Sequence, residues 1–185
     1  DVCSSDLCGI VGVKPSYGRV SRFGLVAFAS SLDNIGVFAR TVDDAALTLE
    51  VIAGPDTSRD ATSAPRPVPA FRTTARDLAG IVVGLPREYF PASLDPAMRA
   101  HFDRAIEALK SRGAEVRDVS LPATDLAIPA YYIIAPAECS ANLSRFDGVR
   151  YGARLEGDGL RGMYEATRSG GLGDEVTRRI LLGTY

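Results

Sequence analysis

The sequence lacks most of the features that would assign it a function at sight. It has one histidine, His101, three cysteines and only two lysines, Lys14 and Lys110, the other basic side chains being arginine. No run of about 18 apolar residues exists that would cross a bilayer as a helix, and no basic region followed by an apolar stretch opens the chain. The expected compartment is therefore the cytoplasm, with no membrane partner. Cys3, Cys8 and Cys139 are odd in number and show no paired CxxC spacing, so they are expected to be free thiols and not a disulfide framework or zinc site. P-loop, HExxH and GxSxG patterns are missing as well. His101 lies between Ala100 and Phe102 in a helical pattern with no partner that would make it a general base, and is expected to be a bland, partly exposed residue. A net charge of -2 argues against a basic nucleic-acid stripe on this chain alone.

What is present is the composition of one ordinary folded chain: 185 residues, 46% hydrophobic and 24% charged. Glycines at Gly9, Gly12, Gly18, Gly24 and Gly36 punctuate short β-type pieces, Ile10-Val11 and Gly24 to Phe28, and imply tight turns in a compact core. A helix is predicted over 41–53, with Thr41 as N-cap, Asp44 in a carboxylate variant of the capping box, and Ala45, Leu49 and Ile52 on one face. Gly54-Pro55 stops it. The Asp-, Ser-, Thr- and Pro-rich stretch 55–78 reads as a surface connection. Beyond it, the apolar run 81–85 predicts a buried strand, and 115–119 a second strand. Between them, Asp95-Pro96 opens a helix over 95–112 striped by Met98, Phe102, Ile106 and Leu109. Strand, helix and strand at this spacing form a βαβ unit. A helix from 128 to about 144 is expected to be kinked or divided at Pro136. The three glycines of 157–162 suggest a loop or weak turn, and 174–182 reads as the start of a further helix. The fold class is α/β.

Three long strings carry a more specific message. The first runs from Cys8 through Tyr17-Gly18-Arg19-Val20-Ser21-Arg22 and Ser30-Ser31-Leu32-Asp33-Asn34-Ile35-Gly36 to Ala39-Arg40-Thr41-Val42-Asp43-Asp44-Ala45. The second is Ser140-Ala141-Asn142-Leu143-Ser144-Arg145-Phe146-Asp147-Gly148-Val149-Arg150-Tyr151-Gly152. The third is Thr167-Arg168-Ser169 followed by Gly173 to Tyr185. In this order they resemble the amidase signature family over roughly residues 8–185, and within it the amidase-type subunits of tRNA-dependent amidotransferases. Residues 1–7 depart from the pattern and are expected to be a non-native scar, so that Ser4 and Ser5 are not catalytic serines. Residues 8–185 are expected to form a partial amidase domain, truncated at both ends, whose complete fold is a mixed sheet flanked by helices.

The resemblance implies amide hydrolysis by a Lys, cis-Ser, Ser triad, with backbone N–H groups stabilising the oxyanion. All three triad members fall before the position of Cys8, so no catalytic residue is expected in this chain; Lys14, before a proline in a turn, is not the catalytic lysine. The ammonia released from glutamine would pass to a partner subunit that activates glutamate on tRNA with ATP and magnesium, converting Glu-tRNA(Gln) to Gln-tRNA(Gln). No cofactor is expected on this chain, and charged tRNA would be held mainly by the other subunits. Two residues match the family's hold on the amino-acid end of glutamine: Tyr131, with Tyr132 beside it, and Arg179, with Arg178 beside it. A guanidinium pairs bidentately with an α-carboxylate and a phenol orients it. Ser30, Ser31 and Asp33 are expected to satisfy neighbouring backbone donors. Asn142, Arg145 and Asp147 mark either a polar network or a partner contact, and the network, containing an Arg–Asp pair, is the favoured expectation. The competing readings are a stand-alone amidase acting on another small amide, and a catalytically empty scaffold.

Overall fold

A computed structural model describes residues 8–72 and 77–185; residues 1–7, where a non-native scar is expected, lie outside the described residues. The chain divides into two compact units. One comprises the residues up to Arg72 together with Ala130–Tyr185, and the other Thr73–Pro129.

The first unit begins with strands β1 (Val11–Val13) and β2 (Val37–Ala39), paired antiparallel from Val11↔Ala39 to Val13↔Val37. Gly24 to Phe28, expected to be β-type, forms no strand. Instead its backbone is drawn into hydrogen bonds with side chains, as described below. Helix α1 (Val42–Ile52) starts where the cap predicts, with the Thr41 hydroxyl accepting from Asp44 N at 3.1 Å. Ala45 and Leu49 of α1 pack with Val20 and Val37 into the core of this unit, and Val11, Val13, Ile35 and Phe71 close over it. Ile52, expected on the same face, is 37% exposed. It sits at the last turn, where Leu49 and the capping Ala53 meet that core in its place.

Part of the stretch taken for a surface connection proves to be built in. Asp60 and Ser63 are buried. Asp60 accepts from Arg22 N at 2.8 Å and Thr62 N at 2.9 Å, Asp56 accepts from the Ser21 hydroxyl at 2.7 Å, and Ala64 N donates to Gly18 O at 2.8 Å. The short acidic and hydroxyl side chains that suggest solvent also saturate backbone donors, and that second capacity prevails here. Gly18, at φ 76, is required: a Cβ would collide with the Thr62 carbonyl.

Three helices complete this unit: the part of α3 (Thr124–Leu143) from Ala130 onward, α4 (Gly159–Gly171) and α5 (Asp174–Thr184). α3 is one helix that runs through Pro136 without division. α4 replaces the expected glycine loop; burial of Met163 and Thr167 outweighs the poor helix propensity of its glycines. α5 crosses α3 at close range. A Cβ on Gly183 would collide with the Pro136 carbonyl, and one turn on, the Ser140 and Thr184 hydroxyls meet at 2.7 Å.

The second unit is the expected βαβ arrangement. β3 (Val82–Pro86) and β4 (Glu115–Val119) are parallel, in register from Val82↔Glu115 to Pro86↔Val119, with α2 (Pro96–Ser111) between them in sequence. Asp95 caps α2, its carboxylate accepting from Ala97 N at 2.9 Å and Met98 N at 3.1 Å. Phe102 packs edge-on against Phe90 with ring centroids 5.5 Å apart. The strand expected to be buried is not: Ile81 and Val82 are each 52% exposed. A sheet of two strands cannot cover both its faces.

Candidate functional site

The face of α3 that carries Tyr131 continues, at spacings of three and four residues, through Ala135, Glu138 and Asn142. The loop 28–33 is bonded to this face. Glu138 accepts from Ser31 N at 2.9 Å and from the Ser31 hydroxyl. Asn142, buried, donates from Nδ2 to Phe28 O at 3.1 Å and to Ser30 Oγ at 2.9 Å; its Oδ1 accepts from Arg145 Nη2 at 3.0 Å. The loop is also tied to itself, because the Asp33 carboxylate accepts from Phe28 N at 3.0 Å and Ala29 N at 3.1 Å. Ser30 O is held by the Tyr17 hydroxyl at 2.7 Å and by Arg22 Nη1 at 2.5 Å. The backbone of this loop is therefore engaged by side chains, and Asp33 satisfies backbone donors as expected; the Ser30 and Ser31 hydroxyls do not, and bond the Asn142 and Glu138 side chains instead.

Arg179 projects from α5 into the same neighbourhood. Its Nε donates to Glu175 Oε1 at 3.0 Å, one turn earlier on α5, and its guanidinium carbon stands 5.4 Å from the centroid of the Phe28 ring. Hydrogen bonding to the Glu175 carboxylate and then to the Tyr131 hydroxyl raises Arg179 above the ordinary guanidinium value. The arginine is a permanent cation, and its Nη groups meet no other protein acceptor among the described residues. Beneath it lies Cys139, fully buried, a free thiol whose pKa burial pushes up against the opposing pull of Arg179. Hydrogen bonding from the Ser31 hydroxyl and then its N–H lowers Glu138, so the carboxylate that anchors the loop is held ionised.

Tyr131 and Arg179 are thus brought together, half-exposed, with donors left over for a small anionic group. Their neighbours are not. Tyr132 is 67% exposed and stacks edge-on with Tyr131, and Arg178 is held by Glu175 Oε2 at 2.9 Å. A separate hollow of about 180 Å³ is lined by Arg22, Ser30, Asp33, Arg59 and Asp60 among others; neither Tyr131 nor Arg179 lines it. The expected Asn142–Arg145–Asp147 network is split: Arg145 bonds Asn142, whereas Asp147 accepts from Val149 N, Arg150 N and Arg150 Nε in its own turn. The backbone N–H groups of Arg150 and then Val149 hold the Asp147 carboxyl down at about 2. Geometry favours Arg150 because it lies three residues on in the turn that Gly148 closes at φ 75.

Other expectations concern residues away from this place. His101 is exposed and meets Arg104 Nη2 at 2.6 Å, with no carboxylate bonded to it. Lys14 is exposed and donates to Pro15 O at 2.9 Å. Cys8 is free. Among the described residues no three His, Cys, Asp or Glu side chains converge as metal ligands. Phe28 and Glu138 are the members of this place that the sequence does not single out. The three- and four-residue spacing of Tyr131, Glu138 and Asn142 is the available signal for Glu138; nothing local marks Phe28.

The family model for Amidase matches residues 4–185. A glutamyl-tRNA(Gln) amidotransferase subunit from Roseiflexus sp. is 57% identical over 97% of this chain, and one from Hahella chejuensis is 56% identical over 96%. The chain spans about 37% of the length of these relatives. Among solved structures, the corresponding glutamyl-tRNA(Gln) amidotransferase subunit of Thermotoga maritima superposes with a TM-score of 0.67 at 35% identity, covering 97% of this chain and 34% of that one. The native peptide amidase of Stenotrophomonas maltophilia also reaches 0.67, at 25% identity over 99% of this chain and 38% of its own. A match across nearly the whole chain, carried by loops and helices that the geometry shows to be interlocked, establishes that this chain belongs to the amidase family.

Proposed function

We propose that this chain is part of the glutamine-hydrolysing, ammonia-donating subunit of a tRNA-dependent amidotransferase, which converts Glu-tRNA(Gln) to Gln-tRNA(Gln). The observation that carries this reading is the 57% identity with a glutamyl-tRNA(Gln) amidotransferase subunit across 97% of the chain. The fold alone would not choose, since the peptide amidase is as similar in shape as the Thermotoga maritima amidotransferase subunit; sequence identity separates them.

In this reading Arg179 binds the α-carboxylate of glutamine through its unoccupied Nη groups, and the Tyr131 hydroxyl orients it. Both are substrate-holding groups. The Lys, Ser, Ser triad is supplied by sequence before Cys8 in the whole protein, and the 185-residue chain alone has no glutaminase activity. Other subunits supply ATP and magnesium chemistry and hold most of the tRNA, in the cytoplasm.

The test uses the full-length protein in complex with its partner subunits. Ammonia release from glutamine is expected, with Arg179→Gln raising KM by about a hundredfold and Tyr131→Phe by about tenfold, while kcat changes less. Absence of glutamine hydrolysis, or hydrolysis indifferent to Arg179, would refute the reading. Ammonia release by residues 8–185 alone, abolished by changing a serine within them, would show that the nucleophile had been misplaced.

A further inference from the structure

Arg179 does not reach its position through its own helix alone. Its guanidinium carbon lies over the Phe28 ring, 5.4 Å from the centroid, and Phe28 belongs to a loop with no regular hydrogen-bond ladder. What fixes that loop against α3 is a pair of side chains one helical turn apart. Asn142 holds Phe28 O and Ser30 Oγ, and Glu138 holds Ser31 N and Oγ. Tyr131 stands on the same face of the same helix, two turns before Glu138.

We infer that Asn142 and Glu138 are positioning residues for carboxylate recognition: they seat the Phe28 ring against Arg179 and so fix where its guanidinium meets the substrate. The inference rests on the reading of Arg179 as the carboxylate-binding group. Three features support a role beyond generic packing. Asn142 is a buried amide that spends both of its ends on this junction, with Arg145 completing the acceptor side. Glu138 is an ionised carboxylate used to hold a backbone N–H and a hydroxyl, which a merely space-filling residue would not need. The ring it helps to place contacts the cation near Tyr131 whose Nη donors remain free of a protein carboxylate among the described residues. A guanidinium held against an aromatic ring loses rotational freedom before substrate arrives, so its donor geometry is set in advance.

The experiment compares two substrates on the full-length protein in complex with its partner subunits: glutamine, and the glutamine analogue whose α-carboxylate is replaced by a carboxamide. Asn142→Leu and Glu138→Ala are expected to raise KM for glutamine about tenfold, with kcat and the KM of the carboxamide within about twofold of wild type. Glu138→Gln keeps an acceptor for Ser31 N and is expected to restore most of the glutamine KM. Asn142→Asp keeps the acceptor for Arg145 but loses the donation to Phe28 O. It guards against a folding failure of the leucine variant and is expected to fall between that variant and wild type. Equal losses on both substrates, or an unchanged glutamine KM in both Asn142→Asp and Glu138→Ala, would overturn the inference while leaving the proposed function standing. A wild-type complex that hydrolyses no glutamine would overturn both.

Discussion

The two units of this chain are held together by different means. In the unit Thr73–Pro129, the main joint spans a moderate distance in sequence: a strand, a capped helix and a second strand follow one another, and the two strands pair in parallel at a separation of 33 residues, as in Val82↔Glu115. In the unit that carries Tyr131 and Arg179, the decisive contacts join residues more than a hundred positions apart, as in Asn142 to Phe28 and Glu138 to Ser31. Its strands are three residues each, and its loops are fastened by side chains. A site that must place a guanidinium, a phenol and an aromatic ring from three segments is assembled where long-range polar contacts converge, whereas the βαβ unit has no such task. The local unit tolerates exposed strand faces, with Ile81 and Val82 half open; the long-range unit buries Asn142, Asp60, Asp147 and Thr167 and satisfies each with a partner.

This contrast is tested first where the backbones come closest. Gly183→Ala forces a methyl group onto the Pro136 carbonyl, and is expected to destabilise the protein by about 3 kcal/mol. Hydrogen exchange should show protection lost in α3 and α5 and kept in β3 and β4. Equal loss in both sets would mean that the units unfold as one. Asp33→Ala removes the acceptor shared by Phe28 N and Ala29 N, and should cost about 2 kcal/mol in urea unfolding. An effect near zero would show that the bonds from α3, Tyr17 and Arg22 hold the loop without Asp33. In the other unit, Asp95→Ala deletes only a cap and should cost about 1 kcal/mol, with its exchange effect confined to the first turn of α2.

The smallest expected effect is that of acid. The Ser120 hydroxyl and then the Leu121 N–H hold Glu88 down at about 2 from its ordinary 4.5. A depressed carboxyl stabilises the fold above its unfolded pKa, and that contribution fades as pH falls from about 4.5 through about 2. Asp60, lowered from 3.8 to about 2 by the Thr62 hydroxyl and then Arg22 N–H, gives the first unit the same sign over a slightly lower window. Carboxyl carbon titration by NMR would resolve the two. A Glu88 midpoint near 4.5 would contradict its bond to Ser120.

How much of this is legible in the sequence follows the same division. The strand at 115–119, the helix behind Asp95 and the Thr41 cap depend on patterns within a few residues, and the structure has them at the expected places. α4 is hidden because Gly159, Gly162, Gly170 and Gly171 lower its local propensity, and only burial of Met163 and Thr167 brings it back. The role of Asp60 is hidden for a related reason: an acidic loop residue does not announce which backbone donor it will meet. The pairing of Tyr131 with Arg179 comes from resemblance and not from any local rule, since no pattern links positions on α3 and α5. Phe28 and Glu138 complete that place through contacts visible only in three dimensions.

The most direct measurement is a crystal structure of the full-length protein with glutamine bound. The α-carboxylate is predicted to lie on the Nη groups of Arg179 at about 2.8 Å, as charge-assisted pairs of this kind adopt. The Tyr131 hydroxyl should be in reach of the amino-acid end, with the Phe28 ring still against the guanidinium. Glutamine bound with its carboxylate on other residues, and Arg179 engaged only by Glu175, would contradict the assignment.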